Sequence, residues 1–136
     1  ACALGAERAL AFTFDDVARE AERVARQPYR AAPPADAALA GMSYDSYRAQ
    51  RFLPPRSTWR GGDTPFELQY FPLGRGFTRP LALFEIVDGA VRPLEVPRDA
   101  FERAAADGVA GWRLHRRTGT PPRSDEIVAF LGASYF

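Results

Sequence analysis

The chain has 136 residues and a mass of 15.0 kDa, which suits one domain, or a piece of one, able to bury roughly two thirds of its unfolded surface. With 46% hydrophobic and 26% charged residues a packed core is expected, while 12 Pro and 11 Gly break the chain into short elements and exclude a long helical bundle. The 18 positive charges, all Arg, against 17 negative leave a net of +1, which disfavours nucleic acid or anionic lipid as partner, and no apolar run approaches the length of a membrane span.

Residues 1–11 are small and apolar apart from Glu7 and Arg8 and end in Ala9-Leu10-Ala11, an A-x-A cleavage pattern. They read as the tail of an export signal, with residues 12–136 as the mature segment. The lone Cys2 falls in that tail, so the mature segment would hold no thiol, which fits an oxidising compartment. Thr13 then caps a predicted helix with Asp15 and Asp16 in its first turn and an apolar stripe of Phe14, Val17, Ala21 and Val24. Glu22 and Arg26 add an i,i+4 pair, and Pro28 closes the element. From Ala31 to Gly41 the chain is nearly all Ala and Pro, a strap with side chains too small to pack by themselves. Ser43 caps a short helical turn through Tyr44, Asp45, Tyr47 and Arg48, closed by Pro54 and Pro55.

After residue 60 the hydrophobic period changes to two. Phe66, Leu68 and Tyr70 alternate with Glu67 and Gln69 in a predicted half-buried strand. The runs 81–87 and 90–96 flank Asp88-Gly89, which tolerates the positive φ angles of a type I′ turn, and so form a hairpin. A further strand puts Trp112 and Leu114 on one face and Arg113 and His115 on the other, and residues 126–131 form another that is apolar on both faces and needs cover on both. So few strands cannot close a sandwich, and the remainder of its own chain is the expected partner for these surfaces.

Signatures of catalysis are absent. There is no G-x-S-x-G, no P-loop and no G-x-G-x-x-G, and Asp125 and Glu126, as neighbours on a strand, face opposite ways. His115, the single histidine, lies beside Arg113 and Arg117 and reads as a surface residue rather than a ligand; no metal and no cofactor are expected. What recurs is an aromatic followed by Arg, at Tyr29-Arg30, Tyr47-Arg48, Trp59-Arg60 and Trp112-Arg113. Aromatic rings stack on sugar rings and guanidinium groups donate paired hydrogen bonds to hydroxyls, a chemistry that suits a carbohydrate groove. On a strand such pairs face opposite ways, and in an Arg-rich chain they also arise by chance.

Several blocks, in order, carry a family likeness: Phe14-Asp15-Asp16-Val17, Pro28-Tyr29, Tyr44-Asp45 with Tyr47-Arg48, Arg51-Phe52, Trp59, Phe66 with Leu68-Gln69-Tyr70-Phe71, Val87-Asp88-Gly89, and above all residues 130–136, Phe-Leu-Gly-Ala-Ser-Tyr-Phe. From about residue 12 onward the chain resembles the periplasmic glucans biosynthesis family of the MdoG/OpgG and OpgD type. It departs from that pattern at Pro97–Gly108, which is shorter, and at Arg116-Arg117, where an aromatic and a proline are usual.

The resemblance implies a mainly β fold, the opening part of a large antiparallel β-sandwich of the galactose-mutarotase-like type preceded by one α-helix and the Pro/Ala-rich strap, with an immunoglobulin-like domain later in the full protein. It implies a periplasmic location and a role in making osmoregulated glucans with a β-1,2-linked backbone, so that β-1,2-glucan or an oligosaccharide is the expected partner, with Trp59, Arg60, Arg113 and Tyr135 as the candidate carbohydrate contacts. Some members look like glycoside hydrolases whose catalytic carboxylate lies beyond the final block, and no catalytic residue is assigned within residues 1–136. A glucan-processing enzyme, a glucan-binding protein and a purely structural cover of the sandwich are the three readings this leaves.

Overall fold

The structure, a computed structural model, describes residues 11–31, 33–34, 36–97, 99–103, 107–118 and 124–132. The export-signal reading of residues 1–11 rests on positions almost all outside them. In chain order the elements are α1 (Phe14–Ala25), a 3-10 helix (Ala37–Gly41), α2 (Tyr44–Arg48), a 3-10 turn (Pro54–Arg56), and strands β1 (Phe66–Pro72), β2 (Phe84–Val87), β3 (Ala90–Pro93), β4 (Val109–Arg117) and β5 (Ser124–Leu131). The fold is mainly β, with two antiparallel sheets, as expected of the opening part of a β-sandwich. Among the described residues no helix is long and apolar enough to cross a membrane.

The chain divides into two compact units. The first combines the N-terminal part, to Ala31, with Ala82–Leu94. Its helix α1 is held by local chemistry: the Asp16 carboxylate accepts from Thr13 N at 2.7 Å and from Thr13 Oγ1 at 2.9 Å, and Arg19, Arg23 and Arg26 pair with Asp16, Glu20 and Glu22. The apolar stripe is not buried, Phe14 being 81% exposed, so capping and side-chain pairs rather than packing define this helix. In the same unit β2 and β3 form the expected hairpin, shorter than 81–87 and 90–96, with Asp88 at φ 52° and Gly89 at φ 79° as a type I′ turn requires. Phe12 N donates to Gly89 O at 2.9 Å and ties the entry of α1 to that turn.

The second unit comprises Ala32–Leu81 and Glu95–Phe136. Its sheet runs in the order β1-β4-β5. Register sets Leu68 opposite Leu114, Tyr70 opposite Trp112, and Trp112 opposite Phe130, so one face is apolar, with the Trp112 and Phe130 rings 4.7 Å apart. Phe52 adds edge contacts to Tyr70 and Phe101, and Tyr70 reaches the Thr58 hydroxyl at 2.6 Å. Beyond the end of β1, Leu39, Leu73 and Ala110 form a buried cluster with Met42, Phe77 and Leu131 packed on it.

Three expectations are corrected here. The strap does not merely lie across the surface: Asp36 accepts from Ala38 N at 2.8 Å to start the 3-10 helix, and Leu39 is 5% exposed within the core cluster. Pro54 and Pro55 do not close α2, which ends at Arg48; they open a 3-10 turn, where a missing N–H costs nothing. β5 begins at Ser124 rather than at 126, and Ile127, 54% exposed, lies where the register with β4 skips a residue.

Candidate functional site

The face of the three-stranded sheet opposite the aromatic one is polar. Glu67 and Gln69 are two apart on β1 and share this face, Gln69 paired with Arg113 and Glu67 with His115 on β4, and His115 is paired in turn with Glu126 on β5. The Arg113 Nε donates to Gln69 Oε1 at 3.1 Å, its Nη1 lies 3.7 Å from Glu126 Oε2, and its guanidinium rests 5.6 Å above the Phe71 ring. Arg60 donates from Nη1 to Glu67 Oε2 and to Pro54 O, both at 3.1 Å. One end of the face is closed by the segment before β1, where Arg117 Nη2 donates to Gly62 O at 3.1 Å and also to Thr64 O.

Burial corrects two readings. Glu67 and Gln69 are 4% and 3% exposed, so the polar residues of β1 are as enclosed as the apolar ones between them, and β1 is not half-buried. His115 is not a surface residue: its side chain is 13% exposed. Its Nδ1 lies 3.1 Å from Ser124 Oγ, while Nε2 is a buried atom without a hydrogen-bond partner among the described residues and stands 3.6 Å from Glu126 Oε2. Buried polar atoms are nearly always satisfied, and an unpaired imidazole nitrogen beside a carboxylate is a ready partner for a hydroxyl or a water.

The structure brings Arg60 and Arg113 onto one sheet face through Glu67 and Gln69, two residues apart on β1. Trp59 precedes Arg60 in the turn after Pro54–Arg56, in left-handed backbone at φ 64° and 37% exposed. Tyr135 lies outside the described residues. Trp112 stands on the opposite face from Arg113, against Phe130, as the alternation of β4 demands. Tyr29 is 89% exposed in the first unit. Glu67, Gln69, Glu126 and Ser124 were not anticipated as members of this cluster; the one advance signal was polar alternation, which sets Glu67 and Gln69 on one face of their strand and Arg113 and His115 on one face of another. Among the described residues no three His, Cys, Asp or Glu side chains converge as a metal site requires.

Comparison with known proteins supplies the lineage. The model of the family described as "Periplasmic glucan biosynthesis protein, MdoG" matches residues 12–136. Among similar proteins are the Glucans biosynthesis protein G of Rhodopseudomonas palustris (strain BisA53), 35% identical over 96% of this chain and 28% of the relative, and that of Cereibacter sphaeroides, 38% identical over 92% of this chain and 25% of the relative. The protein of the same name from Bradyrhizobium diazoefficiens is 37% identical over 94% and 27%. The chain thus spans little more than a quarter of the length of these relatives. A family match over nearly the whole chain, with the expected strands and hairpin in place, shows that this chain belongs to the periplasmic glucan biosynthesis protein family, MdoG.

Proposed function

We propose that the full-length protein acts in the periplasm on osmoregulated glucan by binding its linear β-1,2-linked backbone, and that the polar face of the β1-β4-β5 sheet forms part of the wall of that groove. The observation that carries this reading is Arg113. Its guanidinium is one-third exposed yet fixed on three sides by Gln69, Glu126 and the Phe71 ring, the kind of preorganised donor that binds hydroxyls at little entropic cost. Trp59, exposed beside Arg60, supplies a stacking ring, and Tyr135 is the second. The segment contributes contacts; the reacting carboxylate, if the full protein hydrolyses its ligand, belongs elsewhere in the chain.

For Arg60 a structural role is favoured by a specific observation, its ion pair with the buried Glu67. The test is calorimetry on the full-length protein with β-1,2- and β-1,4-linked oligosaccharides. Arg113→Ala, Trp59→Ala and Tyr135→Ala should each weaken β-1,2-glucan binding by about 1 kcal/mol or more. Binding of neither ligand, or equal binding of both, overturns the assignment.

A further inference from the structure

Two arginines from separate segments converge on one exposed tyrosine in the second unit. Arg48, at the end of α2, lies with Cζ 5.6 Å from the centroid of the Tyr44 ring, the i,i+4 neighbour on that helix; Arg75, from the turn after β1, lies 5.4 Å from the same centroid. Tyr44 is 53% exposed, and both arginines are exposed. Like charges gathered on one ring repel, so something must hold them there. Six arginines, Arg19, Arg23, Arg26, Arg56, Arg60 and Arg113, each sit within 4.0 Å of a carboxylate; among the described residues Arg48 and Arg75 belong with those that do not.

Backbone geometry does the holding. Gly74 and Phe77 exchange hydrogen bonds of 2.9 and 3.0 Å across a two-residue turn, and Arg75 N donates to Leu39 O at 2.7 Å. Gly74 is pressed so close that a Cβ there would lie 2.8 Å from both Met42 Sδ and Tyr47 Cδ2. Arg75 itself has φ 52°, a left-handed conformation uncommon for any residue but Gly, Asn or Asp, although Gly76 stands beside it. Each guanidinium carries five N–H donors, and two of them gathered at one exposed ring can donate to the oxygens of a single tetrahedral anion.

We infer that Tyr44, Arg48 and Arg75 form a binding site for a phosphate-type oxyanion, separate from the polar sheet face and independent of the glucan reading. Two sources carry that chemistry, the free ion and an ester on a sugar. Gly76 and Phe77, which follow Arg75 in the chain, belong to the lining of a pocket of about 240 Å³, so a sugar ester is tested beside the free ion.

The experiment is calorimetry on the full-length protein at low ionic strength with inorganic phosphate, glucose 6-phosphate and glucose. Arg75→Gly is the decisive variant, because it removes the guanidinium and relieves the backbone at once, so the fold is kept. Binding of either phosphate compound that falls tenfold or more in both Arg75→Gly and Arg48→Ala supports the site. Tighter binding of glucose 6-phosphate than of inorganic phosphate assigns the ester as its source, and equal binding assigns the free oxyanion. Failure of both anions to bind, affinity unchanged in the two variants, or glucose binding as tightly as its phosphate overturns it.

Discussion

Arg60 and Glu67 form an ion pair of 3.1 Å in which the carboxylate side chain is 5% exposed and the guanidinium 37%. Breaking a fully buried pair from one side costs about 3–5 kcal/mol, because the survivor is left charged and unsolvated. Here the guanidinium still reaches water, so Arg60→Ala should destabilise the protein by less, about 2 kcal/mol. Arg60→Met combined with Glu67→Leu should recover most of the loss, since no charge then stays stranded. Thermal unfolding of the full-length wild type, Arg60→Met, Glu67→Leu and the double variant reads the coupling; strictly additive shifts would show that the pair does not act as one.

Gly111 carries a second expectation. On β4 it is buried, and a Cβ at this position would lie 2.1 Å from Phe130 O and 2.9 Å from Leu131 Cα, both backbone atoms that cannot swing aside. Gly111→Ala should push β5 off β4 at its C-terminal end, costing about 3 kcal/mol, the upper range for overpacking. Amide exchange at residues 130–132 should accelerate in that variant. Gly41→Ala, where nothing lies within 4 Å, should leave exchange unchanged.

These positions mark what local reading reaches. The Asp88-Gly89 turn, the Thr13 cap and the opposite facing of Trp112 and Arg113 were legible because each depends on φ preference, on a partner three residues away, or on the period of a strand. Burial of Leu39 was not, because a single Leu in an Ala-rich strap gains its place only through Leu73 and Ala110, distant in sequence. Nor was the enclosure of Glu67: alternation shows that Glu67 and Gln69 share a face, but whether that face meets solvent depends on Arg60 folding back over it from an earlier turn. His115 was misread because its neighbours Ser124 and Glu126 come from β5, across a strand pairing that no local pattern fixes. The pairing of Arg48 with Arg75 on Tyr44 joins segments that no periodicity connects.

Helix α1 should respond to acid. Hydrogen bonds from the Thr13 backbone and side chain, followed by the Arg19 guanidinium, hold the Asp16 carboxyl below the ordinary aspartate range. A depressed carboxyl contributes to stability above its unfolded pKa and loses that contribution as pH falls through its folded one. The cap should therefore persist through mildly acidic solution and dissolve only below the usual aspartate titration. An NMR titration following the Thr13 amide should show a midpoint under the ordinary aspartate value; Asp16→Asn should abolish the transition, and a midpoint at the ordinary value would mean that the carboxylate is not held.

Tyr47 should respond to base. Burial raises its phenol, with the ring 6.2 Å from Phe77 and close against Gly74. A raised group contributes stability that is complete below its unfolded pKa and is lost as pH climbs through the folded value, so ionisation of Tyr47 pulls against the native packing in alkali. Tyr47→Phe removes that ionisation and should move the alkaline midpoint of unfolding upward without lowering stability at neutral pH.

The β2-β3 hairpin makes the last prediction. Phe84 and Ile86 alternate along β2, with Pro93 opposite the first and Val91 opposite the second, so these four side chains stand on one face. Phe84, Ile86 and Val91 are 62%, 55% and 43% exposed, an uncovered apolar face on a hairpin too small to be stable alone. Residues 1–136 expressed by themselves should therefore bind a hydrophobic dye and self-associate. Phe84→Thr with Ile86→Thr keeps strand propensity while removing the apolar face, and should lower dye emission several-fold and shift elution toward the monomer. Val87→Thr, on the other face of the same strand, is the control and should leave emission near the wild-type level. Unchanged emission in the double variant would place the exposed apolar surface elsewhere, on the α1 stripe of Phe14, Val17 and Val24, where Val17→Ser with Val24→Ser would then be the variant that lowers it.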